Sequence, residues 1–180
     1  MRGVSRTPVR EALKRISDEG LVEVFAQSGT FIAPISRKAL EEAYIIRTAL
    51  EAESVSRAAG RLTAAAADAF ADNIDAHELA IGRERFGEAI RLDDTFHRMI
   101  AEVNGLHMLW RAVDISKAQM DRGRHLAIPK PGLGAVTIRE HKNIMEAMVA
   151  GDADRAAQGM REHLATSLRN TLEIAADSIA

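Results

Sequence analysis

Cysteine is absent from the sequence. Its absence excludes disulfide bonds and thiolate metal ligands, and it fits a reducing compartment. Aromatic residues make up only 4% of the chain while alanine is abundant, which favours close-packed helices over a β-sandwich. No apolar run reaches the length of a membrane span, and the N-terminus shows no signal-peptide pattern. The composition therefore predicts a cytoplasmic, mostly helical protein with no membrane partner.

The chain also has no large excess of positive or negative charge. With 24 Lys and Arg against 26 Asp and Glu, the formal net charge is −2. No global field attracts nucleic acid, so any affinity for DNA must come from a local patch. A chain of 180 residues can form one core, or a small module joined to a larger one. The change in pattern after Pro34 predicts two parts, residues 1–34 and 35–180.

Residues 1–34 predict one helix followed by a β-hairpin. Ser5 is placed to cap the helix and Gly20 to end it. Two β-prone runs then flank a glycine-containing turn at 26–29. A basic ridge follows one face of the helix, because three basic residues are spaced four apart: Arg6, Arg10 and Lys14. A basic helix followed by a hairpin is typical of the second half of a winged helix-turn-helix, whose helix enters the major groove of DNA.

The stretch from Gly3 to Leu13 (GVSRTPVREAL), followed by Glu19-Gly20-Leu21-Val22, closely resembles the recognition helix of GntR-family transcriptional regulators. The resemblance implies contacts to DNA bases and phosphates by Arg6, Thr7 and Arg10, with Gly29 near the wing tip. The family pattern also places two further helices before this point. If the chain really starts at Met1, we expect its DNA binding to be weakened or lost. If the basic ridge is considered without the family resemblance, the alternative to DNA binding is a charged helix face that is only exposed to solvent.

From residue 35 onward the apolar spacing predicts only helices. Asn104-Gly105 interrupts the pattern, and a proline- and glycine-rich segment at 129–134 marks a loop. Six helices result, and we expect them to form an antiparallel bundle. They cover about 36–59, 63–81, 86–103, 106–126, 136–149 and 152 to near the C-terminus.

Three of these predicted helices carry polar residues within apolar rows. Asp93 and His97 lie one turn apart on one otherwise apolar helix face. His141 and His163 occupy similar rows on two later helices. Burying such groups is costly unless each is paired or binds a metal, so together they form a candidate metal site. The alternative is that each histidine is a hydrogen-bonded core residue, and His77, which also lies in an apolar row, illustrates that possibility.

Residues 93–97, 139–148 and 151–164 resemble the FadR-type C-terminal domain, often called FCD. In many members of that family an aspartate and three histidines bind a metal at the centre of the bundle. Matched residue by residue, these ligands are Asp93, His97, His141 and His163, with Asp94 as the second-choice carboxylate. Imidazole and carboxylate ligands suit a divalent transition metal, zinc first, with nickel, manganese or iron as alternatives.

The same family binds small carboxylate effectors beside the metal. Arg47 is a candidate effector ligand, because a guanidinium among apolar neighbours needs an anion. The alternative for Arg47 is a buried pair with Glu51 or Glu53, or a side chain that reaches solvent. Ser167 and Asn170, one and two turns beyond His163, can supply neutral hydrogen bonds to an effector.

Together these features predict a ligand-responsive bacterial transcriptional regulator rather than an enzyme. We expect it to bind operator DNA as a homodimer, because a two-fold dimer presents two recognition helices to a palindrome. We also expect it to sense a small carboxylate at a metal-containing pocket. One alternative is a metal-dependent enzyme acting on a small organic acid, since three histidines and an aspartate can hold a water-activating ion. The other is a fragment that senses ligand without binding DNA.

Overall fold

The computed structural model describes residues 6–174, and for Arg6 it describes the backbone only. This part of the chain forms eight helices and one two-stranded sheet, which confirms the predicted mostly helical fold. Within it, no helix combines the length and apolarity needed to cross a membrane. Ser5, the predicted cap of the first helix, lies outside the described residues.

The N-terminal part consists of helix α1 (Arg6–Asp18) and an antiparallel hairpin of β1 (Val22–Phe25) and β2 (Gly29–Ile32). The backbone of Gly20 has a φ of 68°, a conformation that glycine adopts without strain, and α1 ends just before it as predicted. Phe25 and Phe31 pack edge to face across the hairpin, with ring centroids 5.7 Å apart. The predicted order of helix and hairpin is therefore confirmed.

Seven helices follow, not the six predicted. They are α2 (Arg37–Ala58), α3 (Ala64–Gly82), α4 (Phe86–Val103), α5 (His107–Ser116), α6 (Ala118–Ala127), α7 (Leu133–Ala150) and α8 (Ala153–Ile174). Side-chain caps fix three of their starts. Ser36, Thr63 and Asp152 each accept a hydrogen bond from the backbone N–H three residues later, at 3.2, 3.1 and 3.0 Å.

The prediction of a single helix over 106–126 is wrong, because the chain breaks at Lys117 between α5 and α6. Ser116 Oγ donates to the carbonyl of Val113 at 2.8 Å, a local bond that competes with continued helix. Lys117 turns inward, and its Nζ donates to Asp94 on α4 at 2.9 Å and to Asp121 at 2.6 Å. Periodicity carries no information on such a contact between distant helices.

The main core lies where α2 packs along α8, and where α3 packs against α4 and α7. Its fully buried side chains include Phe70, Phe96, Met148 and Leu164. A smaller cluster at one end joins the linker after the hairpin to α2, α6 and α8. That cluster contains Ile35, Leu40, Ala43 and Met120, with Leu168 and Leu172 packed against it.

Helix α6 lies very close to α8. A Cβ atom added at Gly123 on α6 would overlap Thr171 Cγ2 on α8, so the approach requires glycine. The same helix also touches the N-terminal part, since Gln119 Nε2 donates to the carbonyl of Gly20 at 2.7 Å. Helix α6 therefore contacts both the bundle and the end of the α1 segment.

Candidate metal centre

Three helices bring the four predicted ligands together in the bundle interior. Asp93 and His97 come from α4, His141 from α7 and His163 from α8, and all four are buried. One ligand atom from each residue lies within 4.8 Å of the others. Bonds of about 2.0–2.2 Å to a shared ion require ligand atoms about 3 to 4.4 Å apart, so small adjustments would suffice. We refer to these four residues as the Asp-His₃ cluster.

The cluster points its ligand atoms at one another. His97 Nε2 and His163 Nε2 are 3.2 Å apart, and His141 Nε2 is 3.4 Å from Asp93 Oδ1. The ring of His141 stacks on Phe96 and has no hydrogen-bond partner at either nitrogen. Burial and the nearby His163 lower the pKa of His141 well below its ordinary value, which keeps the ring neutral. A neutral imidazole with two orphaned buried nitrogens, beside two further histidines and a carboxylate, gives a donor set that fits a divalent transition ion.

Two carboxylates outside the cluster hold its histidine rings. His97 Nδ1 lies 2.5 Å from Glu51 Oε2, and His163 Nδ1 lies 2.9 Å from Glu140 Oε2. Both contacts use Nδ1 and leave Nε2 facing the centre of the cluster. A carboxylate behind a histidine fixes the ring and raises its basicity as a ligand. Sequence reasoning missed this role of Glu51 and of Glu140, since neither is adjacent in sequence to the ring it holds.

Arg47 forms the buried pair that was the alternative to effector binding. Its Nε donates to Glu51 Oε1 at 2.6 Å, and the two residues are only 2% and 4% exposed. Burial alone would raise the pKa of Glu51, but attraction to Arg47 and His97 outweighs it and lowers the pKa to about 2. Glu51 is therefore a carboxylate that links Arg47 to the cluster. Arg47 also reaches the cavity described below.

Arg124 on α6 is a residue of the site that sequence reasoning did not find. Its Nη2 lies 2.7 Å from Asp93 Oδ2, and its Nη1 donates to Asp94 and Asp121 at 3.0 and 3.1 Å. Burial would raise the pKa of Asp93, but Arg124 and then the histidines lower it well below its ordinary value. Asp94, the second-choice carboxylate, pairs with Arg124 and Lys117 and is not part of the cluster.

A cavity of about 50 Å³ adjoins the cluster. Ser167 and Asn170, predicted as effector contacts, both line it, as do Arg47 and Arg124. So does His77, which sequence reasoning treated as an example of a core histidine. His77 is 1% exposed, and neither ring nitrogen has a hydrogen-bond partner. The structure therefore gathers the predicted effector residues around one polar cavity.

The predicted DNA contacts lie elsewhere. Thr7 and Arg10 are exposed on α1, and Gly29 is exposed where β2 begins. The side chain of Arg6 lies outside the described residues. These positions are open to a partner, and their role in DNA binding stays a prediction.

Replacing Glu51 by alanine tests how much the structure depends on the buried pair. We expect a loss of about 3–5 kcal/mol in the free energy of unfolding, because Arg47 is left as an uncompensated buried charge. Urea unfolding at neutral pH measures the loss. Glu53→Ala is the matched control, since Glu53 and Arg57 form an exposed pair on the same helix at the same 2.6 Å. That pair should contribute at most about 1 kcal/mol, and equal losses in the two variants would contradict the assignment.

Comparison with known protein families matches two parts of the chain. The FCD domain family matches residues 42–166, and the family described as bacterial regulatory proteins, gntR family, matches residues 1–32. Among curated proteins, the HTH-type transcriptional repressor RspR of Escherichia coli is 29% identical, over 89% of this chain and 71% of its own. An uncharacterized HTH-type transcriptional regulator of Streptomyces ambofaciens is 33% identical, over 90% of this chain and 68% of its own.

Solved structures show the same fold. Escherichia coli McbR/YncC superposes with a TM-score of 0.76 at 22% identity, covering 97% of this chain and 82% of that one. A GntR transcriptional regulator from Rhodococcus sp. RHA1 gives a TM-score of 0.74 at 22% identity, covering 94% and 81%. The matched relatives are transcriptional regulators, so the alternative of a metal-dependent enzyme is rejected. The chain belongs to the GntR family of bacterial transcriptional regulators and carries an FCD domain.

Proposed function

We propose that this regulator senses a small carboxylate at a metal-containing pocket and responds by changing its affinity for operator DNA. The observation that carries the proposal is the buried Asp-His₃ cluster beside a polar cavity. In this proposal, residues 1–34 bind DNA and residues 35–180 bind the effector.

The proposed site combines groups that bind the metal and the effector with carboxylates that hold the histidine rings in place. A divalent ion held by the Asp-His₃ cluster would supply a Lewis-acid position for a carboxylate oxygen. Glu51 and Glu140 keep two histidine rings turned toward that position. Ser167 and Asn170, on the cavity wall, offer neutral hydrogen-bonding groups to the rest of a small acid.

Helix α6 provides a route from the cavity to the DNA-binding part. Arg124 contacts Asp93 of the cluster, and Gln119 on the same helix donates to the carbonyl of Gly20 at the end of the α1 segment. The two side chains are five residues apart, a rise of about 7.5 Å along a rigid helix. A ligand that changes the Arg124–Asp93 contact would thus move the support of α1. In a homodimer, such a shift changes the spacing of two recognition helices on a palindrome.

Metal content is the first test of the proposal. We expect about one transition metal ion per chain in the purified or reconstituted protein, measured by elemental analysis. Asp93→Ala and His141→Ala should each lose the ion, because each removes one of four ligands. His107→Ala, an exposed histidine on α5, is the control and should keep it. No bound metal in the wild-type protein after reconstitution would contradict the proposal.

Binding to DNA tests the other half. A duplex selected from a random library by the full-length protein serves as the probe, with fluorescence anisotropy at fixed salt as the measurement. Arg10→Ala should weaken binding about tenfold, as the loss of a base or phosphate contact does. Arg15→Ala, also an exposed arginine of α1 but off the basic ridge, should weaken it less. If no duplex is selected, the alternative of a sensor that does not bind DNA is favoured.

The role of α6 makes a separate prediction. Gln119→Met keeps the side-chain length but removes the donor to Gly20. We expect the change in DNA affinity caused by ligand to fall by at least half, while metal content stays unchanged. Gln158→Met is the control, because Gln158 is exposed on α8 and bonds only the neighbouring Glu162. An undiminished ligand response in Gln119→Met would rule out this route.

A further inference from the structure

The cavity beside the cluster has two buried polar groups without a partner. His77 on α3 and Thr171 on α8 both line it, each is 1% exposed, and neither ring nitrogen of His77 nor Oγ1 of Thr171 makes a hydrogen bond. Leaving such groups unsatisfied costs free energy, and in native proteins most of them have a partner. Groups of this kind that face a cavity are suited to hydrogen-bond whatever occupies it.

We propose that His77 is a selectivity residue, which hydrogen-bonds a hydroxyl carried by the effector close to its carboxylate. The site would then prefer short hydroxy acids to the corresponding unsubstituted acids. This inference rests on the proposed function and names the class of ligand that the same cavity takes.

The position of His77 favours contact with the effector over coordination of the metal. Its ring centroid is 5.7 Å from that of His141, so it lies immediately behind one member of the Asp-His₃ cluster. It is not among the four residues whose ligand atoms converge. A group bound at the cluster and extending into the cavity therefore passes beside the imidazole of His77.

The charges around the cavity favour a neutral second group on the ligand. Both guanidinium groups on its wall already have carboxylate partners, Arg47 with Glu51 and Arg124 with Asp93. A second carboxylate on the ligand would find no uncommitted cation among these residues. A neutral imidazole has one donor and one acceptor nitrogen, and a hydroxyl can both donate and accept. The two groups are complementary.

The size of the cavity limits the ligand. Each water-sized group needs roughly 10–15 Å³ of such space, so a cavity of about 50 Å³ holds about four of them. With its carboxylate at the cluster, a monohydroxy acid of two to four carbons adds two to four further groups, which fit this volume. Larger sugar acids do not fit without movement of the wall.

The test uses the metal-loaded full-length protein and two matched pairs of acids, acetate with glycolate and propionate with 2-hydroxypropionate. Isothermal titration calorimetry should show at least tenfold tighter binding of the hydroxy acid in each pair. His77→Phe should reduce this preference to less than twofold, because phenylalanine offers no hydrogen-bonding group to the hydroxyl. His77→Gln, which keeps a donor and an acceptor, should retain part of the preference, and His107→Phe on the surface should retain all of it.

Stability and metal content separate folding from selectivity. His77→Phe removes a buried imidazole that has no partner, so without ligand its melting temperature should equal or exceed that of the wild type. If the wild-type protein binds all four acids without preference, or if His77→Phe keeps the preference, the inference is overturned and the proposed function stands. Loss of metal from His77→Phe would also overturn it, since His77 would then be a metal ligand. If the metal-loaded wild type binds none of the acids, the proposed function fails as well.

Discussion

The carboxylate of Asp93 is buried among helices, and its charge must be balanced there, because an unpaired ion in a protein interior costs several kcal/mol. Arg124 supplies the balance by binding Oδ2 and leaves Oδ1 facing His141. One oxygen thus anchors α6 to α4 while the other stays available to the Asp-His₃ cluster. The break before α6 belongs to the same arrangement, since Lys117 reaches Asp94, the next residue on α4.

This pairing, together with the Gln119–Gly20 hydrogen bond, connects the Asp-His₃ cluster to the N-terminal helix and hairpin through α6. Helix α6 has ten residues, and it is held by Arg124 near one end and by Gln119 near the other. Its close approach to α8 at Gly123 leaves little freedom to slide independently. Tightly packed elements of this kind tend to move as a unit between discrete arrangements. On the proposed function, α6 is the element whose position both the ligand and the DNA would bias.

Local sequence pattern was sufficient for most elements and for the cluster. Periodicity placed the four members of the Asp-His₃ cluster in apolar rows, and the family resemblance matched them to the ligands of one metal site. The pattern failed where a contact joins residues far apart in sequence. Arg124 meets Asp93 from 31 positions away, and Lys117 breaks a helix to reach Asp94, so neither contact has a local signature. Arg47 shows the limit clearly, because its apolar neighbours indicated a need for an anion but could not choose among a ligand, Glu51, Glu53 and a side chain that reaches solvent.

On the proposed function, His77 lowers the stability of the ligand-free protein but serves recognition of the ligand. A phenylalanine there would continue the apolar row of α3 without leaving ring nitrogens unsatisfied, so packing alone does not account for the histidine. Thr171 carries an unpartnered hydroxyl at the same small cavity. Sites that bind ligands often retain such destabilising groups, because the occupied state satisfies them. The free energy lost by leaving these groups unsatisfied in the empty cavity is then recovered on binding and contributes to ligand affinity. The cavity also lies next to the Arg124–Asp93 ion pair, which holds α6.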